Sequence, residues 1–203
     1  MVNRLKNISS RAIIIGTALI LIAAFIAGGL FAFFSESSAR KSGDLRSYSL
    51  EATDFTWNAI EVKEGIVITT DNDPQMLLET PMEFTSLKFY METSIYPGEI
   101  ALYYTEPGDA GFSVQKRLWI VPADQPNWYI LETPMKTVTA LRVDPTMYAG
   151  NILEFGEFIF NEEKAFSDYF AVSYGDFFNL IVYTGIISSV LKFLQEMLKK
   201  EID

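Results

Sequence analysis

The feature that most constrains this chain is an uninterrupted apolar run near its N-terminus. Ala12 to Phe34 contains 23 residues and no charged side chain. At a rise of about 1.5 Å per residue, such a helix covers the ~30 Å hydrocarbon core of a membrane. The sequence therefore predicts a transmembrane helix over residues 12–34 that acts as an uncleaved signal anchor. A cleaved secretory signal peptide is the alternative, but its apolar region is normally about 7 to 15 residues long.

The basic residues beside this run predict its orientation. Arg4, Lys6 and Arg11 precede it without any acidic residue, which makes residues 1–11 a basic cytoplasmic tail under the positive-inside rule. Basic residues also follow the run, and their count alone does not separate the two sides. Gly28 and Gly29 offer a surface for close approach of another helix, although glycine is common in membrane helices generally.

A second apolar segment lies near the C-terminus, over residues 177–198. Its apolar residues recur at alternating spacings of three and four, which is the period of a helix. Acidic residues precede the segment, whereas Lys192, Lys199 and Lys200 lie at or beyond its end. This arrangement predicts a second membrane segment that returns to the cytoplasm, with residues 199–203 as a tail. Because the segment is only marginally hydrophobic, an interfacial helix and a soluble partner-binding helix remain open.

Between the two apolar segments the chain is strongly acidic. Residues 47–176 hold 21 acidic and 7 basic side chains, in a chain of net charge -10 that has neither cysteine nor histidine. An acidic surface repels phosphate backbones, so nucleic acid and anionic polymers are poor partners. The lack of Cys and His excludes disulfides, thiol and imidazole catalysis, and zinc sites built on those ligands.

The acidic block alternates apolar and polar residues with the period of β-strands. Such runs include Leu87 to Glu92, Ile100 to Tyr104, Trp128 to Leu131 and Ile152 to Phe160. After a polar linker over residues 35–46, the sequence predicts a mainly β fold: about seven to nine strands in a β-sandwich or jelly roll over residues 47–165. The apolar parity switches between Ala140 and Leu141, which predicts a bulge or bend there.

Several short motifs follow one another between Ile66 and Phe160. They are Thr70-Asp71-Asn72-Asp73-Pro74-Gln75, then Ile100 to Tyr104, then Trp128 to Leu131, then Leu141-Arg142-Val143-Asp144-Pro145 and the strand Ile152 to Phe160. This order resembles the galactose-binding-like, carbohydrate-binding-module-like jelly-roll domains. Such domains occur in bacterial membrane proteins of cell-surface polysaccharide assembly. The resemblance implies a carbohydrate-binding-like module in a cell envelope.

A few residues of the block are candidates for ligand binding. Trp57, Tyr104 and Tyr148 border turns or irregular stretches, where an aromatic ring is able to cover the apolar face of a sugar. In so small a sandwich, a place in the core is the alternative for each of them. Arg142 lies two residues from Asp144 on the same strand face, which indicates either a structural ion pair or a guanidinium that hydrogen-bonds sugar hydroxyls.

The loop that contains Asp71 and Asp73 is a candidate metal site. Closely spaced carboxylate and amide oxygens are the ligands that Ca²⁺ prefers. The same residues also form ordinary turns, because Asp and Asn hydrogen-bond their own backbone. We therefore expect no cofactor and an ordinary turn, with a structural calcium ion as the alternative.

These observations favour a non-catalytic role at a membrane. We expect an accessory or scaffold subunit that presents its β-domain outside the cytoplasm, at the outer face of the cell membrane. Its expected partners are the membrane, an integral-membrane protein and a neutral glycan. A free-standing glycan-binding module is the first alternative. A polysaccharide-processing enzyme that uses paired carboxylates is the second, although chance carboxylate pairs are expected in so acidic a block.

Overall fold

The computed structural model describes residues 9–200, with side chains described as far as Leu198. Arg4 and Lys6 therefore lie outside the described residues, as do the side chains of Lys199 and Lys200. The chain divides into two compact units. The β-unit is Glu36–Glu163, and the helical unit combines the residues up to Ser35 with those from Lys164 onward.

Two long helices account for most of the helical unit. Helix α1 is Ser10–Ser42 and helix α2 is Tyr174–Lys200. The segments Ser10–Ser42 and Phe166–Leu198 are each long and apolar enough to cross a membrane, and only 6% of the apolar window of each is buried. The two apolar segments predicted from the sequence are thus confirmed as helices of that length and character.

Helix α1 continues beyond the predicted boundary at residue 34, through most of the predicted linker. It stops at Gly43, whose φ of +84° suits a residue without a side chain. The amide of Gly43 donates to the carbonyl of Arg40, and the amide of Asp44 donates to that of Ala39. These two bonds form the glycine-terminated cap that satisfies the free carbonyls of a helix end.

The β-unit contains eleven strands. They are β1 (Tyr48–Leu50), β2 (Thr56–Asn58), β3 (Ile60–Lys63), β4 (Ile66–Thr69), β5 (Gln75–Leu78), β6 (Met82–Thr93), β7 (Ile100–Thr105), β8 (Arg117–Pro122), β9 (Trp128–Val138), β10 (Ala140–Asp144) and β11 (Ile152–Phe160).

The strands form two antiparallel sheets that share β8. The β10 sheet has the order β2-β5-β10-β7-β8, and the β6 sheet has the order β8-β9-β6-β11-β4-β3, with β1 beside β11. Strand β8 pairs with β7 over Arg117 to Ile120 and with β9 over Val121 and Pro122. The bend predicted beside Ala140 is found one residue earlier, at Thr139, where the chain leaves the β6 sheet for the β10 sheet.

One apolar core fills the space between the two sheets. Phe84, Phe89 and Phe158 of the β6 sheet are fully buried in the same cluster as Met76 and Leu141 of the β10 sheet. The rings of Phe89 and Phe158 stack with their centroids 4.8 Å apart. Two sheets whose inner faces supply one core form a β-sandwich, which confirms the mainly β fold predicted from alternation.

Strand β11 is held at its C-terminal end by Asn161, which is 1% exposed. Its φ is +53°, a conformation that asparagine tolerates better than most residues. The Oδ1 atom accepts from the amide of Thr85 at 2.8 Å, and Nδ2 donates to the carbonyl of Glu83 at 2.8 Å. The carbonyl of Asn161 accepts from Nη2 of Arg40 at 2.8 Å. The end of α1 is therefore part of the β-unit.

The sequence predicts that the β-domain starts at residue 47, whereas the β-unit of the structure starts at Glu36. We predict that a fragment Glu36–Glu163 unfolds cooperatively and that a fragment starting at Ser47 is less stable. The shorter fragment lacks Leu45, which is 1% exposed, and a loss of about 2–5 kcal/mol is expected from an emptied leucine site. Urea denaturation measures the difference. Equal midpoints and slopes for the two fragments would show that residues 36–46 add nothing to the fold.

Candidate functional site

The outer face of the β10 sheet carries a row of aromatic and basic side chains. Because side chains alternate along a strand, Leu141 and Val143 point into the core while Arg142 points outward. The register pairs Arg142 with Tyr103 of β7, and Tyr103 with Arg117 of β8. Three neighbouring strands thus contribute to one row, and Trp119 follows Arg117 on the same side of β8.

The basic groups of this row lie against its aromatic rings. The guanidinium carbon of Arg117 lies 3.9 Å from the centroid of the Trp119 ring, and that of Arg142 lies 5.0 Å from the centroid of Tyr103. Such contacts are attractive because the ring face is electronegative. Trp119 nevertheless keeps 43% of its surface exposed. The row therefore holds an exposed ring in a defined orientation. We call Arg142, Tyr103, Arg117 and Trp119 the β10 platform.

Two carboxylates lie beside the platform and bind Arg142. Arg142 donates from Nε and Nη2 to the two oxygens of Asp144, at 2.7 and 2.8 Å. Its Nη2 also donates to Oδ1 of Asp73 at 2.5 Å, and Nε2 of Gln75 donates to Oδ2 of Asp73 at 2.6 Å. The ion pair predicted between Arg142 and Asp144 is confirmed.

The contact with Arg142 affects the protonation of Asp144. Burial raises the pKa of Asp144 above its ordinary value, the charge of Asp73 adds to this effect, and the hydrogen bonds from Arg142 oppose it. Burial acts to lower the pKa of Arg142, but the hydrogen bonds and charge of Asp144 outweigh it and leave that pKa raised. The guanidinium therefore stays protonated, and the carboxylates keep it fixed.

The loop of Asp71 and Asp73 lies at the edge of this platform. Oδ1 of Asp71 accepts from the amide of Asn72, which is the local bond of an ordinary turn. Oδ1 of Asn72 accepts from the amide of Ala149 at 3.0 Å. Among the described residues, no group of three or more His, Cys, Asp or Glu is placed to hold a metal ion. The calcium site at Asp71 and Asp73 stays a prediction.

Tyr148 belongs to the loop that this turn contacts. Its side chain is 44% exposed, and a Cβ on Gly98 would lie 3.3 Å from its ring. The carbonyl of Tyr148 accepts from Oγ1 of Thr69 at 2.7 Å. Tyr148 therefore lies near the platform only through the bond between Ala149 and Asn72, and Arg142 is the one predicted ligand-binding residue in the aromatic row.

Trp57 and Tyr104 face the interior instead. Tyr104 is 8% exposed and belongs to the buried cluster. Trp57 packs against that cluster, and its Nε1 donates to the carbonyl of Ala52 at 2.7 Å. These two rings therefore support the core, and the platform uses Tyr103 and Trp119 in their place. Side chains alternate along a strand, and Leu102 and Leu118 are directed inward. Their neighbours Tyr103 and Trp119 are therefore directed outward, and this alternation is visible in the sequence.

The predicted membrane residues that the structure describes lie in the helical unit. A Cβ on Gly29 would lie 2.6 Å from the carbonyl oxygen of Tyr169, so this glycine permits close contact within the chain, whereas Gly28 has open space beside it. Arg11 is exposed at the start of α1. Lys192 donates to Gln195 at 3.1 Å and lies 3.7 Å from Glu196.

Comparisons with known proteins give structural likenesses only. No family model matches the chain, and no curated protein matches it. The chain is similar to a low-affinity xylan-binding module from the gut symbiont Roseburia intestinalis, with 10% identity and a TM-score of 0.38 over 57% of this chain and 94% of that one.

Two further solved structures are similar to part of the chain. A family 29 carbohydrate-binding module has 12% identity and a TM-score of 0.40, over 57% of this chain and 86% of that one. A fucose-binding module of Streptococcus pneumoniae has 11% identity and a TM-score of 0.35, over 48% of this chain and 71% of that one. The structural neighbours are carbohydrate-binding modules with a β-sandwich fold.

Replacement of Arg142 tests the electrostatics of the platform. We predict that Arg142→Leu lowers the free energy of unfolding by about 2–4 kcal/mol at pH 7, because it leaves Asp144 without its partner. Arg117→Leu, on the same face but without a carboxylate partner in the described residues, should cost no more than about 1 kcal/mol. Chemical denaturation of both variants measures the difference.

The loss in Arg142→Leu should also depend on pH. The raised pKa of Asp144 means that the folded state takes up this proton more readily than the unfolded chain. The cost of the ionised carboxylate is therefore absent at low pH and grows as the pH rises past 3.8. Without Arg142 that cost is larger, so the deficit relative to wild type should be smaller at pH 3 than at pH 7. A deficit that does not change with pH would contradict this account.

Proposed function

We propose that this chain is a membrane-anchored glycan-binding protein, and that the β10 platform is its binding face. The observation that carries the proposal is the exposed ring of Trp119, held by Arg117 in line with Tyr103 and Arg142. An aromatic ring face covers the apolar face of a pyranose. The guanidinium and carboxylate groups beside it supply donors and acceptors for sugar hydroxyls.

The charges around the platform favour a neutral glycan. On the face itself, the two arginines are balanced by Asp73 and Asp144. The surrounding block carries 21 acidic against 7 basic residues, so an anionic polymer must approach against repulsion. Affinity for a neutral glycan then depends on stacking and hydrogen bonds, which are weak individually and respond little to salt.

We infer a binding role and not a catalytic one from the state of the carboxylates. Hydrolysis of a glycosidic bond needs two carboxyl groups, one acid and one base or nucleophile, on either side of the scissile bond. Asp73 and Asp144 instead converge on one guanidinium. Two carboxylates bound to the same guanidinium do not stand on opposite sides of a scissile bond, whereas their oxygens are able to accept hydrogen bonds from a ligand.

The helical unit supports an anchor of two membrane passes. A groove of about 760 Å³ has walls from the start of α1, near Ile13, and from the second half of α2, near Ser188 and Lys192. The start of one helix thus lies beside the end of the other, and the two run antiparallel. Arg11 and Lys192 fall at the same end of this pair, which we assign to the cytoplasmic side. The connecting β-unit is then extracytoplasmic.

The same groove favours a second function, that of an accessory subunit. Within the described residues, Oγ of Ser188 and Oγ1 of Thr184 are buried and have no hydrogen-bond partner. Both residues contribute to the wall of the groove, next to Gly185. Small and hydroxyl-bearing residues are typical of contacts between membrane helices. A helix of an integral-membrane partner is therefore the occupant that an accessory role requires.

The glycan proposal is tested by binding of the full chain, in detergent micelles, to immobilised neutral polysaccharides. We predict that the protein is retained on immobilised neutral xylan or hydroxyethyl cellulose, and that retention changes little when the salt concentration is raised. Trp119→Ala should weaken retention by about tenfold, because it removes the stacking surface. Val62→Ala removes an exposed side chain from edge strand β3 and should leave retention unchanged.

Two results would contradict the glycan proposal. One is equal retention of wild type and Trp119→Ala on every neutral polysaccharide tested. The other is salt-sensitive retention on dextran sulfate, an anionic polymer, in preference to the neutral ones.

The topology is testable because the chain contains no cysteine, so that one introduced thiol reports one position. We predict that Asp124→Cys, at an exposed position after β8, reacts with a membrane-impermeant maleimide on intact cells. Asn7→Cys, in the basic tail, should react only after lysis. The reverse pattern would place the β-unit inside the cytoplasm and overturn the proposed orientation.

A further inference from the structure

The outer face of the other sheet, the β6 sheet, carries a second aromatic pair. The register places Tyr90 of β6 opposite Trp128 of β9. Their ring centroids are 6.0 Å apart and the rings meet edge to face at 71°. Both side chains are half-buried and point away from the core, because their neighbours Met91 and Tyr129 point into it.

This pair is held in a defined orientation, as the β10 platform is. The Nζ atom of Lys88 lies 5.2 Å from the centroid of the Trp128 ring. On the other side of Tyr90, a β-bulge in β11 brings Gly156 so close that a Cβ there would lie 3.0 Å from Cβ of Tyr90. Any larger residue at 156 would push against Tyr90. The glycine at the bulge therefore leaves room for Tyr90 in its observed position.

The three tryptophans differ in how their indole N–H groups are used. Trp57, which supports the core, donates to a backbone carbonyl. Neither Trp119 nor Trp128 has a hydrogen-bond partner for this group among the residues that the structure describes. A buried indole normally finds a partner inside the protein, and an indole at a recognition surface presents its donor outward. Trp128 thus resembles Trp119 in this respect and differs from Trp57.

The polar groups beside Trp128 suit hydroxyl-rich ligands. The hydroxyl of Tyr90 donates to Oε2 of Glu92 at 3.0 Å, and Glu92 lies directly opposite Glu154 on β11. Two exposed carboxylates at a paired position repel one another. They are also strong acceptors for sugar hydroxyls, and their negative charge repels an anionic ligand.

We propose that Trp128, Tyr90 and Lys88 form a second glycan-binding platform, so that one β-unit holds two neutral glycan segments on opposite faces. This inference rests on the proposed glycan-binding function and adds a second site to it. The sheets of a sandwich are about 10 Å apart and their faces point in opposite directions. One short oligosaccharide cannot reach both platforms, and the protein therefore bridges two glycan chains.

The test uses the full chain in lipid nanodiscs, labelled with 5-fluorotryptophan. The chain has three tryptophans, so the fluorine NMR spectrum has three signals, which Trp-to-Phe variants assign. On titration with cellohexaose, a neutral oligosaccharide, we expect the signals of Trp119 and Trp128 to shift and that of Trp57 to stay fixed. The buried tryptophan is thus a control within the same molecule.

A second measurement tests bridging. Wild type should cross-link hydroxyethyl cellulose into larger particles, as seen by light scattering. Trp119→Ala and Trp128→Ala should each retain one binding site per chain and lose the cross-linking, whereas Val62→Ala should retain both. If Trp128→Ala does not fold, Trp128→Phe replaces it. This variant should weaken binding at the second platform at least threefold and leave that of the Trp119 platform unchanged.

The outcomes separate the two proposals. A shift of the Trp119 signal alone, with cross-linking unaffected by changes at Trp128, rejects the second platform and leaves the glycan-binding function in place. No shift of any signal and no binding of the polymer rejects both.

Discussion

The structure depends on the placement of β11, which two buried asparagines fix at its two ends. Asn151, before the strand, is fully buried. It accepts from Oγ of Ser94 at 3.1 Å and from the amide of Ile95 at 3.2 Å, and its Nδ2 donates to Oγ1 of Thr146 at 3.2 Å. Asn161, after the strand, binds the backbone of β6. Removing a buried amide leaves each of its partners unsatisfied. These bonds set the register of the strand that joins β1, β4 and β6.

Register decides which residues reach the surface. A slip of one residue would exchange the inward and outward rows of a strand, and would bury Arg142 in place of Leu141 or Trp128 in place of Tyr129. The bonds that fix β11 also fix β6, which carries Tyr90 and pairs with Trp128. On the other sheet, the bonds of Arg142 to Asp144 and Asp73 fix the groups that a ligand would meet. If the proposed glycan binds here, these side chains are already ordered without it, which reduces the entropy lost on binding.

Alternation in the sequence was sufficient to place the longer strands but not the short ones. Ile152 to Phe160 is found as predicted, whereas β1 to β5 are only three or four residues long, too short for a period to be visible. The parity of Leu102 indicates that Tyr104 is inward and Tyr103 outward, but the contact of Tyr103 with Arg142 is visible only once β10 lies beside β7. Asn161 begins a polar stretch that resembles a loop, and its buried role is visible only once Thr85 and Glu83 lie beside it.

The placement of the basic residues in the acidic block is consistent with the proposed neutral ligand. Of its seven Lys and Arg side chains, five lie over an aromatic ring: Lys88 over Trp128, Lys116 and Lys136 over Tyr104, Arg117 over Trp119, and Arg142 over Tyr103. A surface that attracts anions needs cations that are free to face them. Here most cations are placed against rings, and Lys116 and Arg142 are also paired with carboxylates. Their charge is therefore used to orient aromatic side chains within an acidic surface, and those rings, more than the charges, are what a ligand would contact.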